Sequence, residues 1–94
     1  MNIAELFSLN GKTALVTGGN SGIGEAMALA LGLAGARVIL VARRKQVLEE
    51  AAAKMRSQGI HADILPADLS SPESASACGQ KALQDFGPID ILIN

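Results

Sequence analysis

Lys12-Thr13-Ala14-Leu15-Val16-Thr17-Gly18-Gly19-Asn20-Ser21-Gly22-Ile23-Gly24 is the stretch that decides the fold. Its first half reads as a short buried strand, and its second half as a glycine-rich turn that opens a helix. Glycine has no Cβ, so a ligand's oxygens can approach the backbone, and the free N–H groups of the helix's first turn point at them. A strand, a glycine turn and a helix in that order is how α/β folds hold a diphosphate.

Outward from this turn the chain alternates. The helix spans Gly22–Ala34, with Gly35 as its stop. Arg37–Ala42 is a second strand whose unbroken apolar run suits a strand covered on both faces. A second helix runs over Lys45–Gln58. Val47, Leu48, Ala51, Ala52 and Met55 recur at spacings of three and four, Glu50 and Lys54 form a surface pair, and Gly59 ends the helix. His61–Pro66 is a third, shorter strand. Ser70-Ser71-Pro72-Glu73 then offers a capping serine, a first-turn proline and an acid at the positive helix end. This third helix reaches about Phe86, with Ala75, Cys78, Ala82 and Phe86 on one stripe. Gly87-Pro88 breaks it, and Ile89–Asn94 is the fourth strand.

Strands alternating with helices over short connections imply an α/β fold with a Rossmann-type parallel sheet, incomplete, flanked by helices. The expected strand order is 3-2-1-4, with a topological switch between strands 1 and 4. Ligands bind beyond the carboxyl ends of strands at such a switch. The glycine turn, Arg43, Asp68 and Asn94 all belong to those ends. Four separate segments therefore converge on one crevice.

Composition narrows the alternatives. The 94 residues allow one small domain at most, and 49% are hydrophobic, which argues for a packed interior over disorder. Two Phe are the only aromatic residues, so the core must come from Ala, Leu, Ile and Val, which lets helices lie close to a sheet. A net charge of −1 and no long basic run argue against a nucleic-acid partner. The start of the chain carries Glu5 and no early basic residue, unlike a secretory signal. The longest uncharged apolar stretch, Ala26 to Ala36, is too short to span a membrane. The expectation is a cytoplasmic protein without a membrane partner. The chain stops in an apolar strand with no closing helix, so it reads as the front part of a longer protein.

Three nucleotide loops compete for the glycine turn. Gly19 and Gly24 have the spacing of a Walker-type loop, but Glu25-Ala26 follows where Lys-Ser/Thr is required, which argues against ATP or GTP hydrolysis. The strict Gly-x-Gly-x-x-Gly fingerprint fails because Met27 stands where the third glycine is needed. What remains is Thr-Gly-x-x-x-Gly-x-Gly, a longer turn before the helix.

That pattern resembles the short-chain dehydrogenase/reductase family, and the match runs over almost the whole chain from Gly11. Leu15-Val16-Thr17-Gly18 with Ser21-Gly22-Ile23-Gly24 looks like the family's cofactor turn. Ala67-Asp68-Leu69 is similar to its adenine-contacting segment after strand 3. Asp90-Ile91-Leu92-Ile93-Asn94 looks like the strand that leads into its Asn-Asn-Ala-Gly segment, cut after the first asparagine. The resemblance implies that Gly18, Ser21 and the Gly22-Ile23-Gly24 backbone line the ribose and diphosphate. It implies that Asp68 accepts from the adenine amino group, that the Leu69 backbone supports the ring, and that Asn94 approaches the adenosine ribose. Taken alone, Asp68 reads more simply as a turn residue ahead of the Ser70/Ser71 cap; beside the glycine turn the ligand reading is preferred.

Strand 2 bears on the choice of nicotinamide cofactor. NAD-type sites present an acid at its end, bonded to the ribose hydroxyls, whereas NADP-type sites lack it and use an arginine for the 2′-phosphate. Here Ala42 fills the acid's slot, and Arg43, Arg44 and Lys45 follow at the electropositive end of a helix, where cations are unfavourable without an anion nearby. Arg43 is therefore the expected phosphate ligand, and NADP(H) is favoured over NAD(H). Ser21 weakens the case, because many NADP-preferring relatives carry Lys or Arg there.

The family interconverts alcohols and carbonyls by hydride transfer, using a Tyr-x-x-x-Lys pair with a nearby Ser and Asn, the tyrosine serving as general acid/base. This chain has no tyrosine. No catalytic residue is assigned, and the chain alone is expected to be inactive. His61 reads as a surface residue, no metal site is expected, and Cys78, Met27 and Met55 read as core. The expectation is thus the N-terminal part, residues 1–94, of a single dinucleotide-binding domain. It would belong to an NADP(H)-dependent oxidoreductase acting on a small alcohol or carbonyl substrate, homo-oligomeric at full length as the resemblance implies. The alternative is a non-catalytic nucleotide-binding module.

Overall fold

A computed structural model describes residues 6–18 and 22–94. Among the described residues four strands and three helices alternate: β1 (Thr13–Thr17), α1 (Gly22–Leu33), β2 (Arg37–Ala42), α2 (Lys45–Arg56), β3 (Ala62–Pro66), α3 (Pro72–Phe86) and β4 (Ile91–Ile93). All pairings are parallel and the order is β3-β2-β1-β4. Leu15 faces Ile39 on β2 and Leu92 on β4, and Ile39 faces Asp63 on β3.

Alternation along the strands divides the core into two layers. Val16, Val38, Leu40 and Ala62 turn to the face covered by α1 and α2, where they pack with Ala28, Leu48, Ala52 and Met55. Leu15, Ile39, Val41 and Leu65 turn to the other face and meet Cys78 and Ala82 of α3, with Phe86 against them. The reversal of direction after β3 accounts for the split. Right-handed crossovers that step first one way and then the other place their helices on opposite faces.

The helix ends follow from local chemistry. Ser71 caps α3, its Oγ accepting the Ser74 N–H at 3.1 Å ahead of Pro72. α1 and α2 close alike. The Ala36 N–H reaches Leu31 O at 3.1 Å past Gly35 at φ +109°, and the Ile60 N–H reaches Met55 O at 3.2 Å past Gly59 at φ +81°.

Some expectations need correction. β4 covers only Ile91–Ile93, because Ile89 is apolar for packing against α3 and not for the ladder. Ala75 is exposed; the buried ridge of α3 passes through Cys78 and Ala82 to half-buried Phe86. Met27 is 39% exposed and belongs to neither of the two core layers. The ion pair on α2 joins Lys45 to Glu49 at 4.0 Å, and no described pair joins Glu50 to Lys54. No helix among the described residues is long and apolar enough to cross a membrane.

Candidate cofactor cleft

A cleft of about 490 Å³ opens at the carboxyl ends of the three adjacent strands β1, β2 and β3. Thr17 and Gly18 line it from β1, Val41, Ala42 and Arg43 from β2, and Ala67 through Ser70 from β3. Of the expected site residues, Gly18, Arg43, Asp68 and Leu69 meet here. Gly22, Ile23 and Gly24 form the first turn of α1 outside this lining, and the Ile23 side chain is 81% exposed. Asn94 sits past the end of β4, where its Oδ1 accepts the Thr17 hydroxyl at 2.9 Å. Ser21 lies outside the described residues.

Gly18 and Gly22 have φ of +68° and +58°, the left-handed region that favours glycine. A Cβ on either would meet nothing within 4 Å, so both project into open space and not against protein. The Gly18 N–H, however, donates to Val41 O at 3.0 Å. That bond ties the turn's start to β2 and removes this amide from the donors expected to face a diphosphate.

At the β3 end, Asp68 Oδ1 accepts the Ser70 N–H at 2.9 Å. The Ser70 hydroxyl and N–H hold the Asp68 carboxyl below its ordinary pKa; desolvation opposes them, and Arg43 adds a lesser lowering. Asp68 is therefore both the turn residue of the simpler reading and an ionised acceptor on the cleft. At the β2 end the small Ala42 leaves room, Arg43 is exposed, and α2 begins after Arg44 with no side-chain cap and no acid in its first turn. A nucleotide fits this donor set. The open glycine backbone admits phosphate oxygens, a guanidinium stands beside the uncapped helix end, and a carboxylate waits at the β3 end.

Thr17, Val41, Ala67 and Ser70 line the cleft without having been expected there. Their signal was positional, as each is a direct neighbour of an expected residue at a strand end. Cys78 is buried and burial raises its thiol pKa, the His61 side chain is 68% exposed, and no metal-binding cluster exists among the described residues.

Comparison with known proteins agrees with this architecture. The short chain dehydrogenase family model matches residues 12–94. An uncharacterized oxidoreductase of Mycobacterium tuberculosis is 38% identical over 92 residues, covering 98% of this chain and 35% of its own length. A 3-oxoacyl (acyl-carrier-protein) reductase of Agrobacterium tumefaciens, solved with NADP bound, superposes with a TM-score of 0.89 at 36% identity, over 98% of this chain and 35% of that one. L-Sorbose reductase of Gluconobacter frateurii, complexed with NADPH and L-sorbose, gives 0.85 at 36% identity, over 94% and 34%. The chain spans about a third of the length of the curated relatives it matches. With the family model matched from β1 to the last residue and the strand order these folds require, the chain belongs to the short chain dehydrogenase family.

Proposed function

We propose that the protein is an oxidoreductase transferring hydride between NADP(H) and a small alcohol or carbonyl substrate. In this reading residues 1–94 are the N-terminal part of one dinucleotide-binding domain and hold the adenosine-diphosphate half of the cofactor. The family membership and the NADP and NADPH complexes among its neighbours support the reaction class. The observation that carries the cofactor choice is the β2 end, where Ala42 replaces a carboxylate and Arg43 stands on the cleft rim.

Each residue then has a role toward the bound cofactor, which supplies the hydride donor or acceptor. The Gly18 and Gly22-Ile23-Gly24 backbone, with Ser21, lines ribose and diphosphate. Arg43 offers its guanidinium to the 2′-phosphate, which a carboxylate at Ala42 would repel. Asp68 accepts the adenine amino group, the Leu69 backbone supports the ring, and Asn94 approaches the adenosine ribose. The proton-transfer residues belong to the remainder of the protein, as does assembly into a homo-oligomer, and the chain alone is inactive.

Calorimetric titration of the full-length protein with NADP⁺ and NAD⁺ tests the reading. Tighter binding of NADP⁺ is expected. Equal or tighter NAD⁺ binding overturns the preference, and binding of neither overturns the site.

A further inference from the structure

We propose that Ser70 is a positioning residue for base recognition, its N–H pinning Oδ1 of Asp68 so that Oδ2 is left as the acceptor for an exocyclic amino group. The inference rests on the reading of Asp68 as the adenine ligand and assigns a cause to its selectivity. Asp68 is a surface carboxylate on a short side chain, which unrestrained would populate several rotamers. The Ser70 N–H holds Oδ1 at 2.9 Å, and the Ser70 hydroxyl also lowers the pKa of the same carboxyl. Pinning removes rotational freedom before a ligand arrives, so less entropy is lost on binding. It also selects chemistry, because an ionised carboxylate with one oxygen engaged accepts a donor and repels a carbonyl.

Ser70 is itself on the wall of the cleft, one residue before the Ser71 that caps α3. The cap fixes Ser71 through Ser74, so the pinning amide is anchored to the rigid start of a fifteen-residue helix. The rival account is that the Asp68–Ser70 contact only shapes the loop into α3. The two accounts differ in what a ligand would feel. A loop-shaping contact affects every nucleotide alike, whereas a positioning contact affects only bases that carry the amino group.

The test uses 5′-AMP and 5′-IMP, which differ in the 6-amino against the 6-oxo group, titrated into the full-length protein and its Ser70→Pro and Ser70→Ala variants. The wild-type protein is expected to prefer AMP by roughly tenfold, the scale of one hydrogen bond to a charged group. Ser70→Pro removes the pinning N–H and brings the AMP/IMP ratio to within about twofold of unity by weakening AMP alone, about one ordinary hydrogen bond's worth. Ser70→Ala keeps the pinning N–H and loses only the hydroxyl, so AMP stays clearly preferred. Should Ser70→Pro show no cooperative melt, Ser70→Ala decides, and a ratio within about twofold of unity there overturns the proposal. A Ser70→Pro protein that folds and weakens both nucleotides equally, or neither, also overturns it while leaving the cofactor site standing. Failure of the wild-type protein to bind AMP overturns the site and this inference together.

Discussion

The Thr17 hydroxyl donates to Asn94 Oδ1 at 2.9 Å and lies 3.4 Å from the Ile93 carbonyl, tying the carboxyl end of β1 to the carboxyl end of β4 across the topological switch. β4 pairs with β1 over only three residues, so this side-chain contact is a sizeable part of what secures it beyond Ile93. It also orients Asn94, the residue proposed to approach the adenosine ribose.

Thr17→Val keeps shape and removes the donor. The expected loss is about 1 kcal/mol of folding stability, the usual net value of one hydrogen bond, read as a lower urea midpoint with unchanged slope. Asn94→Ala should cost a similar amount. Because the two groups serve one contact, the double variant should be little worse than the worse single one. Full additivity would mean that the contact does not form in solution.

At the opposite end of the sheet, Arg37 Nε donates to Asp63 Oδ2 at 2.9 Å while its guanidinium lies 4.8 Å from the Phe86 ring centroid. The side chains of the pair are 30% and 28% exposed, so solvent screens the interaction only in part. A double-mutant cycle of Arg37→Met with Asp63→Asn should give a coupling of about 1 kcal/mol, at the upper end for partly exposed pairs. Arg37→Met alone should cost more than Asp63→Asn, because it also loses the stacking on Phe86. Thermal denaturation of the four proteins would check both statements.

Gly32 lies inside α1, where alanine would ordinarily add about 1 kcal/mol of helix stability. Here a Cβ would stand 2.5 Å from Ile60 Cγ2 and 3.0 Å from its Cδ1, and Ile60 is buried in the α1/α2 layer. The clash outweighs the propensity gain. Gly32→Ala should destabilise the protein by roughly 1–3 kcal/mol, the usual cost of overpacking. Adding Ile60→Val, which removes the Cδ1 methyl, should recover part of the loss. A stabilised Gly32→Ala single variant would show that Ile60 has room to move.

The strands and turns were legible because their causes are local. β2 is buried on both faces over residues 38–41 and is apolar there, and Gly35 and Gly59 adopt a backbone conformation that favours glycine after their helices. What escaped depends on partners distant in sequence. The extent of β4 is set by its register on β1, so Ile89 could not be told from a ladder residue by its type. Met27 fits a helical core spacing, but it is 39% exposed and packs into neither core layer. The site divides the same way. Arg43 and Asp68 carry chemistry that their residue types announce, while Ser70 acts through a backbone N–H that any residue but proline supplies.

Cofactor choice should therefore be movable at the β2 end without touching the glycine turn. Arg43 is exposed on the cleft rim, so Arg43→Ala removes a charge without disturbing the core. The expected result is a loss of NADP⁺ affinity of roughly tenfold or more, the value of a charge-assisted hydrogen bond, with NAD⁺ affinity changed by less than about twofold. Ala42→Asp acts in the opposite sense on both ligands. The new carboxylate can accept from the 2′- and 3′-hydroxyls of NAD⁺ and repels a 2′-phosphate, so the double variant Ala42→Asp/Arg43→Ala should prefer NAD⁺. Titrating each variant with both cofactors gives the four affinities needed. If Arg43→Ala weakened both cofactors equally, the guanidinium would be serving a part they share, and the 2′-phosphate would have to be held by the exposed Arg44 or Lys45 at the uncapped start of α2.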